Sequence, residues 1–227
     1  MSVTINTSVA GGGTSSSSSL GTMTWAALQA AYPNGGAALL ALPAGSHAFI
    51  SDWGVPFFPA LGNTAWKTAG PLTLLSITTD TTAILNSTTN FQAALTWTPP
   101  LKLLIPGSVL EIAYRAKQAS GTAKPRAQCQ ISGVASALAQ TSGAFTAAYT
   151  RGRWRADVRV AEVLRFNSGG NAERDQNRSE GSSLTLDVAT AFSGSNGLEI
   201  GFSSWSTTAS DSTFVFEQLA IVLHPSA

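Results

Sequence analysis

The sequence predicts a mainly β protein: an antiparallel β-sandwich of jelly-roll type, preceded by a small α+β module and a flexible arm. Three observations carry that expectation. From Pro71 onward apolar and polar residues alternate with a period close to two, in runs separated by long polar stretches and without a convincing helical repeat. Hydrophobic residues make up 44% of the 227, enough to bury a sizeable core. Charge is unevenly spread: of 13 Lys+Arg and 12 Asp+Glu, residues 1–100 hold only Asp52, Lys67 and Asp80. The two parts of the chain therefore meet different surroundings.

The expected divisions are an arm over 1–20, a module over 21–70 and the β-sandwich head over 71–227. The arm passes through three glycines into the Ser/Thr run 14–19, a composition that favours a flexible linker. In TMTWAALQAAYPNGG, Trp25, Leu28 and Tyr32 share one helical face, Thr22 or Thr24 can serve as N-cap, and Pro33-Asn34-Gly35-Gly36 ends the helix. ALLALPAGSHAFISD reads as two short strands about Pro43-Ala44-Gly45. GVPFFPALGNTAWKTAG carries a turn at Gly62-Asn63 and a further strand through Ala65-Trp66-Lys67.

In the second part, strands are expected around 72–78, 91–98, 109–117, 126–134, 153–166, 184–189, 198–203 and 213–223. PPLKLLIPGSVLEI should be a connection into the strand near Val109, because Pro99, Pro100 and Pro106 deny the ladder a donor.

Composition excludes several classes of function. A net charge of +1 gives no global drive toward nucleic acid or membrane. The single cysteine, Cys129, excludes an intrachain disulfide and a thiolate zinc cluster, and its place in RAQCQISG suits a small buried residue on a strand. No apolar run approaches the roughly 18 residues of a membrane span, and no signal-peptide pattern opens the chain, so a soluble protein is expected. Charged residues are only 11% of the chain, against roughly 25% in ordinary soluble domains. So weakly charged a surface suits contact with copies of itself or with an assembly.

LPAGSHAFISDWG places Ser46, His47, Ser51 and Asp52 close in sequence, the residue types of a nucleophilic triad. Strand alternation sends Ser46 and His47 to opposite faces, and no strained nucleophile turn is encoded, so a structural role is expected. In RGRWRADVRVAEVLRF, Trp154, Ala156, Val158 and Val160 form one face, and Arg153, Arg155, Asp157 and Arg159 the other. That stripe is a candidate for contact with an anionic glycan, a phosphate or an acidic surface; the alternative is a solvated face paired with neighbouring carboxylates. NSGGNAERDQNRSEGSS reads as an exposed loop. It offers Arg174 and Arg178 for surface contact and Glu173, Asp175 and Glu180 as carboxylates without the facing geometry of a glycosidase pair or the spacing of a calcium loop. Trp205, where a strand gives way to SSWSTTASDS, is the tryptophan best suited to surface or receptor contact.

The order of parts resembles virion proteins of tailed bacteriophages, of the short-fibre or receptor-binding type. Leu42, Pro43, Gly45, Ala48, Phe49, Asp52 and Gly54 carry the resemblance in the first half of the module, and Asn63, Trp66 and Lys67 in the second. The resemblance implies a non-enzymatic structural protein without cofactor or metal: a homotrimer held to other virion proteins through its N-terminal region, with the β-head facing solvent or a host glycan or protein. It implies a place on a virion assembled in the host cytoplasm. VPFFPALG departs from the family's polar link and directs attention to Trp53, Phe57 and Phe58, with Trp25, as subunit or virion attachment residues. A capsid-decorating or head-fibre protein shares the same parts; a carbohydrate-binding module or glycan-active enzyme is the competing class.

Overall fold

Antiparallel strands dominate the computed structural model, which describes residues 18–60, 62–81, 84–85, 91–120, 125–131, 138–140, 149–161, 163–166, 186–187, 197–204 and 213–225. The chain divides into two units, Met1–Trp66 and Lys67–Ala227.

In the first unit β1 (Ser19–Met23) leads into helix α1 (Trp25–Ala31) and a single helical turn, α2 (Ala37–Leu40). Strands β2 (His47–Ile50), β3 (Val55–Ala60) and β4 (Ala65–Thr68) follow, the last crossing the division between the units. The sheet order is β1-β2-β3-β4, with β1 parallel and β3 antiparallel to β2. Thr24, in extended conformation, is the N-cap of α1; its side chain accepts a hydrogen bond from the Ala27 N–H. Trp25 and Leu28 are buried along the predicted helical face. After α1 the backbone reverses through Gly35, at φ +74°, whose N–H donates to the Thr64 carbonyl.

Three expectations for this unit are corrected. Ser19 and Leu20, grouped with the arm, belong to β1, and the His47 N–H donates to the Ser18 carbonyl. Pairing with β2 supplies what a Ser-rich composition does not reveal. The first of the two strands expected about Pro43 is instead α2, since AALL lacks β-branched residues and Gly36 begins the turn in extended conformation. VPFFPA, to which no strand is assigned from the sequence, is one: Pro56 and Pro59 lower its propensity, and pairing of Val55–Phe57 with β2 holds it extended.

The second unit holds β5 (Leu72–Ile77), β6 (Ile84–Leu85), β7 (Gln92–Trp97), β8 (Val109–Ser120), β9 (Pro125–Ile131) and β10 (Leu138–Gln140). It continues with β11 (Tyr149–Val160), β12 (Val163–Phe166), β13 (Leu186–Asp187), β14 (Leu198–Ser204) and β15 (Thr213–His224). One antiparallel sheet runs β10-β9-β14-β7 and a larger one β13-β12-β11-β8-β15-β5, with β6 also on β15. The expected strand 153–166 is two, because the chain reverses with Val160 opposite Val163; a continuous apolar pattern conceals the reversal. Strands β6 and β10 were not foreseen, being too short for a period to register. The connection before β8 is as expected, and its Leu103, Leu104 and Ile105 are buried.

Alternation sets the inner faces. On β8, Leu110, Ile112, Tyr114 and Ala116 are buried; on β14, Leu198, Ile200 and Phe202; on β9, Ala127 and Cys129. Burial pushes the Cys129 thiol far above its ordinary pKa, so it is a neutral packing group. β15 changes parity along its length: Phe214 and Phe216 are buried, then Leu219, Ile221 and Leu223, because a bulge interrupts the ladder between Phe216 and Gln218. A similar irregularity near the end of β11 leaves Val160 61% exposed, against the expectation that it would join Trp154, Ala156 and Val158 inside.

The sheets meet through aromatic rings. Phe202 of the smaller sheet stacks on Phe216 of the larger, centroids 4.4 Å apart, and packs on Phe214 at 5.6 Å. Phe216 in turn meets Tyr114 edge-on at 5.7 Å, and Tyr114 lies 4.5 Å from Trp154. Two glycines allow close approach: a Cβ at Gly152 would overlap the Tyr114 ring, and one at Gly201 would strike the Gln92 backbone. Truncating Phe202 to alanine should lower the unfolding free energy by about 3–5 kcal/mol, read as a lower urea midpoint with an unchanged slope.

Candidate functional site

The triad-like letters of the first unit hold the backbone together. Ser46 is fully buried, and its hydroxyl donates to the Pro43 carbonyl at 2.7 Å. His47 is on the other face, as alternation requires, with its ring 6.0 Å from Phe58. The Ser51 hydroxyl donates to the Met23 carbonyl, and the Asp52 carboxylate accepts the Trp25 N–H at 2.8 Å. Asp52 thus satisfies the first exposed donor of α1 from a distant turn, a capping contact supplied by tertiary structure.

The residues expected to attach the chain divide in two. Trp25 and Phe57 are 5% and 1% exposed, packed together at 5.1 Å, because both lie on the inner faces of their elements. They form core and offer little surface, which corrects the expectation for that pair. Trp53 and Phe58 are partly exposed, Trp53 closing over Phe57 at 5.8 Å. With His47, Phe49 (41% exposed) and Pro56 opposite it in register, Phe58 gives the sheet an apolar outer face.

In the second unit the outer face of the larger sheet is charged. Arg153, Arg155 and Arg159 are exposed on β11. The solvated-stripe alternative holds for Arg153, whose Nε lies 3.3 Å from Glu111 Oε1 on β8. Further along, Arg115 Nε meets Glu217 at 2.8 Å, while Lys117 bridges Glu217 at 3.0 Å and Asp80 at 2.9 Å. Hydrogen bonds to Asp80 and then Glu217 raise the Lys117 pKa. His224 Nε2 lies 3.8 Å from Glu111 Oε2, an ion pair only when the ring is protonated.

Between these charges lies a concavity of about 510 Å³, lined across β5, β8, β11 and β15. Ser76 and Thr78 line it from the β5 side, Ala113 and Arg115 from β8 and Arg151 from β11, with Gln218 and Ala220 of β15 between β5 and β8. Register explains the hollow. Ala113 faces Ala220, and Ala220 faces Ser76, so three small side chains adjoin, while Arg151 stands directly opposite Arg115. Alternation reveals that Arg151 shares the face of Arg153; its meeting with Arg115 and Gln218, from strands distant in sequence, is set by register and is absent from the sequence pattern. Trp205, Arg174 and Arg178 lie outside the described residues, as do Glu173, Asp175 and Glu180. Among the described residues no group of three or more His, Cys, Asp or Glu side chains is placed to hold a metal ion, and no helix is long and apolar enough to cross a membrane.

The fold defines a mainly β protein built on antiparallel sheets. No protein-family model matches the chain, and no curated protein does. Three solved chains are similar in structure. One is a protein of unknown function, SO2946, from Shewanella oneidensis MR-1: 11% identical, TM-score 0.31, covering 70% of this chain and 89% of that one. Another is the CBM2 module of the evolved Dit of Lactobacillus casei BL23 phage J-1: 9% identical, TM-score 0.28, covering 70% and 97%. At this level neither likeness carries an argument about function.

Replacing Asp52 by alanine should cost about 0.5–2 kcal/mol, measured by thermal unfolding, with the first turn of α1 losing amide protection. The Lys117 contribution has a defined pH window. Its folded pKa is raised, so the stabilisation is complete below the unfolded lysine pKa and is lost as pH climbs through the folded value. The difference in unfolding free energy between the wild type and Lys117→Met should therefore be constant across neutral pH and shrink only under strongly alkaline conditions.

Proposed function

We propose that this chain is a non-enzymatic structural protein of a tailed-bacteriophage virion, a trimeric fibre or receptor-binding-type component. The N-terminal unit holds it to other virion proteins, and the larger β unit faces outward. The observation that carries the reading is the apolar outer face of the first sheet, His47, Phe49, Pro56 and Phe58, in a unit whose only Asp, Glu, Lys or Arg between residues 18 and 66 is Asp52. A face of that kind is costly to leave in water and carries almost no charge to repel a second copy.

The residues of the resemblance support the same reading through the frame they build. Gly45 and Gly54 take φ values of +81° and +68°, and Asn63 one of +61°. The Asn63 side chain donates to the Leu42 carbonyl at 3.0 Å, and the Trp66 indole to the Tyr32 carbonyl at 2.9 Å. Together with Asp52 they brace the β2–β4 strands that present the apolar face.

Light scattering at micromolar concentration should give three times the 23.4 kDa chain mass. The double substitution Phe49→Asp with Phe58→Asp should yield smaller species with an unchanged circular dichroism spectrum. A monodisperse wild-type monomer would overturn the trimer. Labelled antibody viewed on particles by electron microscopy separates a tail or neck position from a decorating position on the capsid.

A further inference from the structure

The concavity on the outer face of the larger sheet gathers two arginines, two hydroxyls and an amide around a floor of two alanines. Arg151 and Arg115 are direct cross-strand partners, and like charges placed opposite one another destabilise an antiparallel pair. Arg115 is held by Glu217 through Nε at 2.8 Å, which fixes the guanidinium plane beside Arg151. Next to this pair the floor drops to Ala113 and Ala220, and the far wall offers the hydroxyls of Ser76 and Thr78. Gln218, an exposed amide able both to donate and to accept, completes the rim.

We propose that this trough binds an acidic saccharide, with a sugar carboxylate between Arg115 and Arg151 and ring hydroxyls on Ser76, Thr78 and Gln218. Paired guanidinium forks suit a planar carboxylate, and a wall of hydroxyl and amide groups suits a polyhydroxyl body. Beyond the trough, Arg153 and Arg155 follow Arg151 on the same face about 7 Å apart, but Glu111 stands opposite Arg155 and pairs with Arg153, so the site is confined to the trough. A nucleic acid fits less well: no aromatic ring of the lining faces outward to stack a base, since Tyr114 turns its ring into the core against Trp154 and Phe216. The inference does not depend on the virion reading, and either can fail without the other.

Calorimetric titration of the full chain at low ionic strength tests it, using oligomers of galacturonate, of mannuronate and guluronate, of hyaluronan and of sialic acid. At least one should bind saturably, and the same oligomer with its carboxylates reduced to alcohols should not. Arg151→Gln should weaken binding by about tenfold or more, and Arg151→Lys, which keeps the charge but not the fork, by less. Ala220→Gln fills the floor without changing any charge and should have an effect as large as that of Arg151→Gln. If that variant does not fold, Gln218→Ala, at an exposed position, takes its place with a smaller loss. The proposal is overturned if no acidic oligomer binds, if the reduced oligomer binds equally well, or if folded variants bind like the wild type. Equal binding of single-stranded DNA or polyglutamate through the same residues would also overturn it.

Discussion

The contact on which the larger unit depends is the stack of Phe202 on Phe216, where the two antiparallel sheets touch. Neither sheet can bury its inner face alone, and an aromatic pair removes a large apolar area from water. Around that pair, Phe214, Tyr114 and Trp154 continue the packing along β15, β8 and β11. Once these rings are committed inward, the neighbouring residues of each strand must face out. That is how Glu111, Arg115 and Lys117 on β8, and Arg151, Arg153 and Arg155 on β11, come to share one surface. The charged face is a by-product of core packing, and the trough within it follows from where small residues fall in the register.

The first unit rests on a different constraint. Its sheet is small, and its helix has seven residues, too few to be stable alone. Side chains from distant turns complete it: Asp52 at the start of α1, Asn63 on the Leu42 carbonyl, and Trp66 on the Tyr32 carbonyl at the end of the helix. Trp25, Trp53 and Phe57 fill the space between helix and sheet. Because that unit spends its aromatic residues on its interior, only Trp53 and Phe58 of the expected attachment residues keep accessible surface.

These two constraints explain what was legible in advance. Period-two alternation works where one face of a strand is buried without interruption, and it correctly located β5, β7, β8, β9, β14 and β15. It also separated Ser46 from His47, and Trp154 from Arg153 and Arg155. It failed where the ladder is irregular or the pattern continues through a turn. The bulge near Glu217 reverses the parity of β15, the reversal after Val160 splits one expected strand in two, and β3 is held extended despite two prolines.

By itself the sequence determined the fold class, the separation of a low-charge N-terminal part from a charged β part, and the residues that line a strand face where the ladder is regular, because those depend on composition and on a periodicity local to each strand. Only the tertiary structure decided which faces meet. That Arg151 stands opposite Arg115, that Ala113, Ala220 and Ser76 lie side by side, and that Asp52 reaches Trp25 all depend on register and on chain reversals. Register is fixed by side-chain packing between strands far apart in sequence, and a pattern that repeats every two residues is the same in many registers.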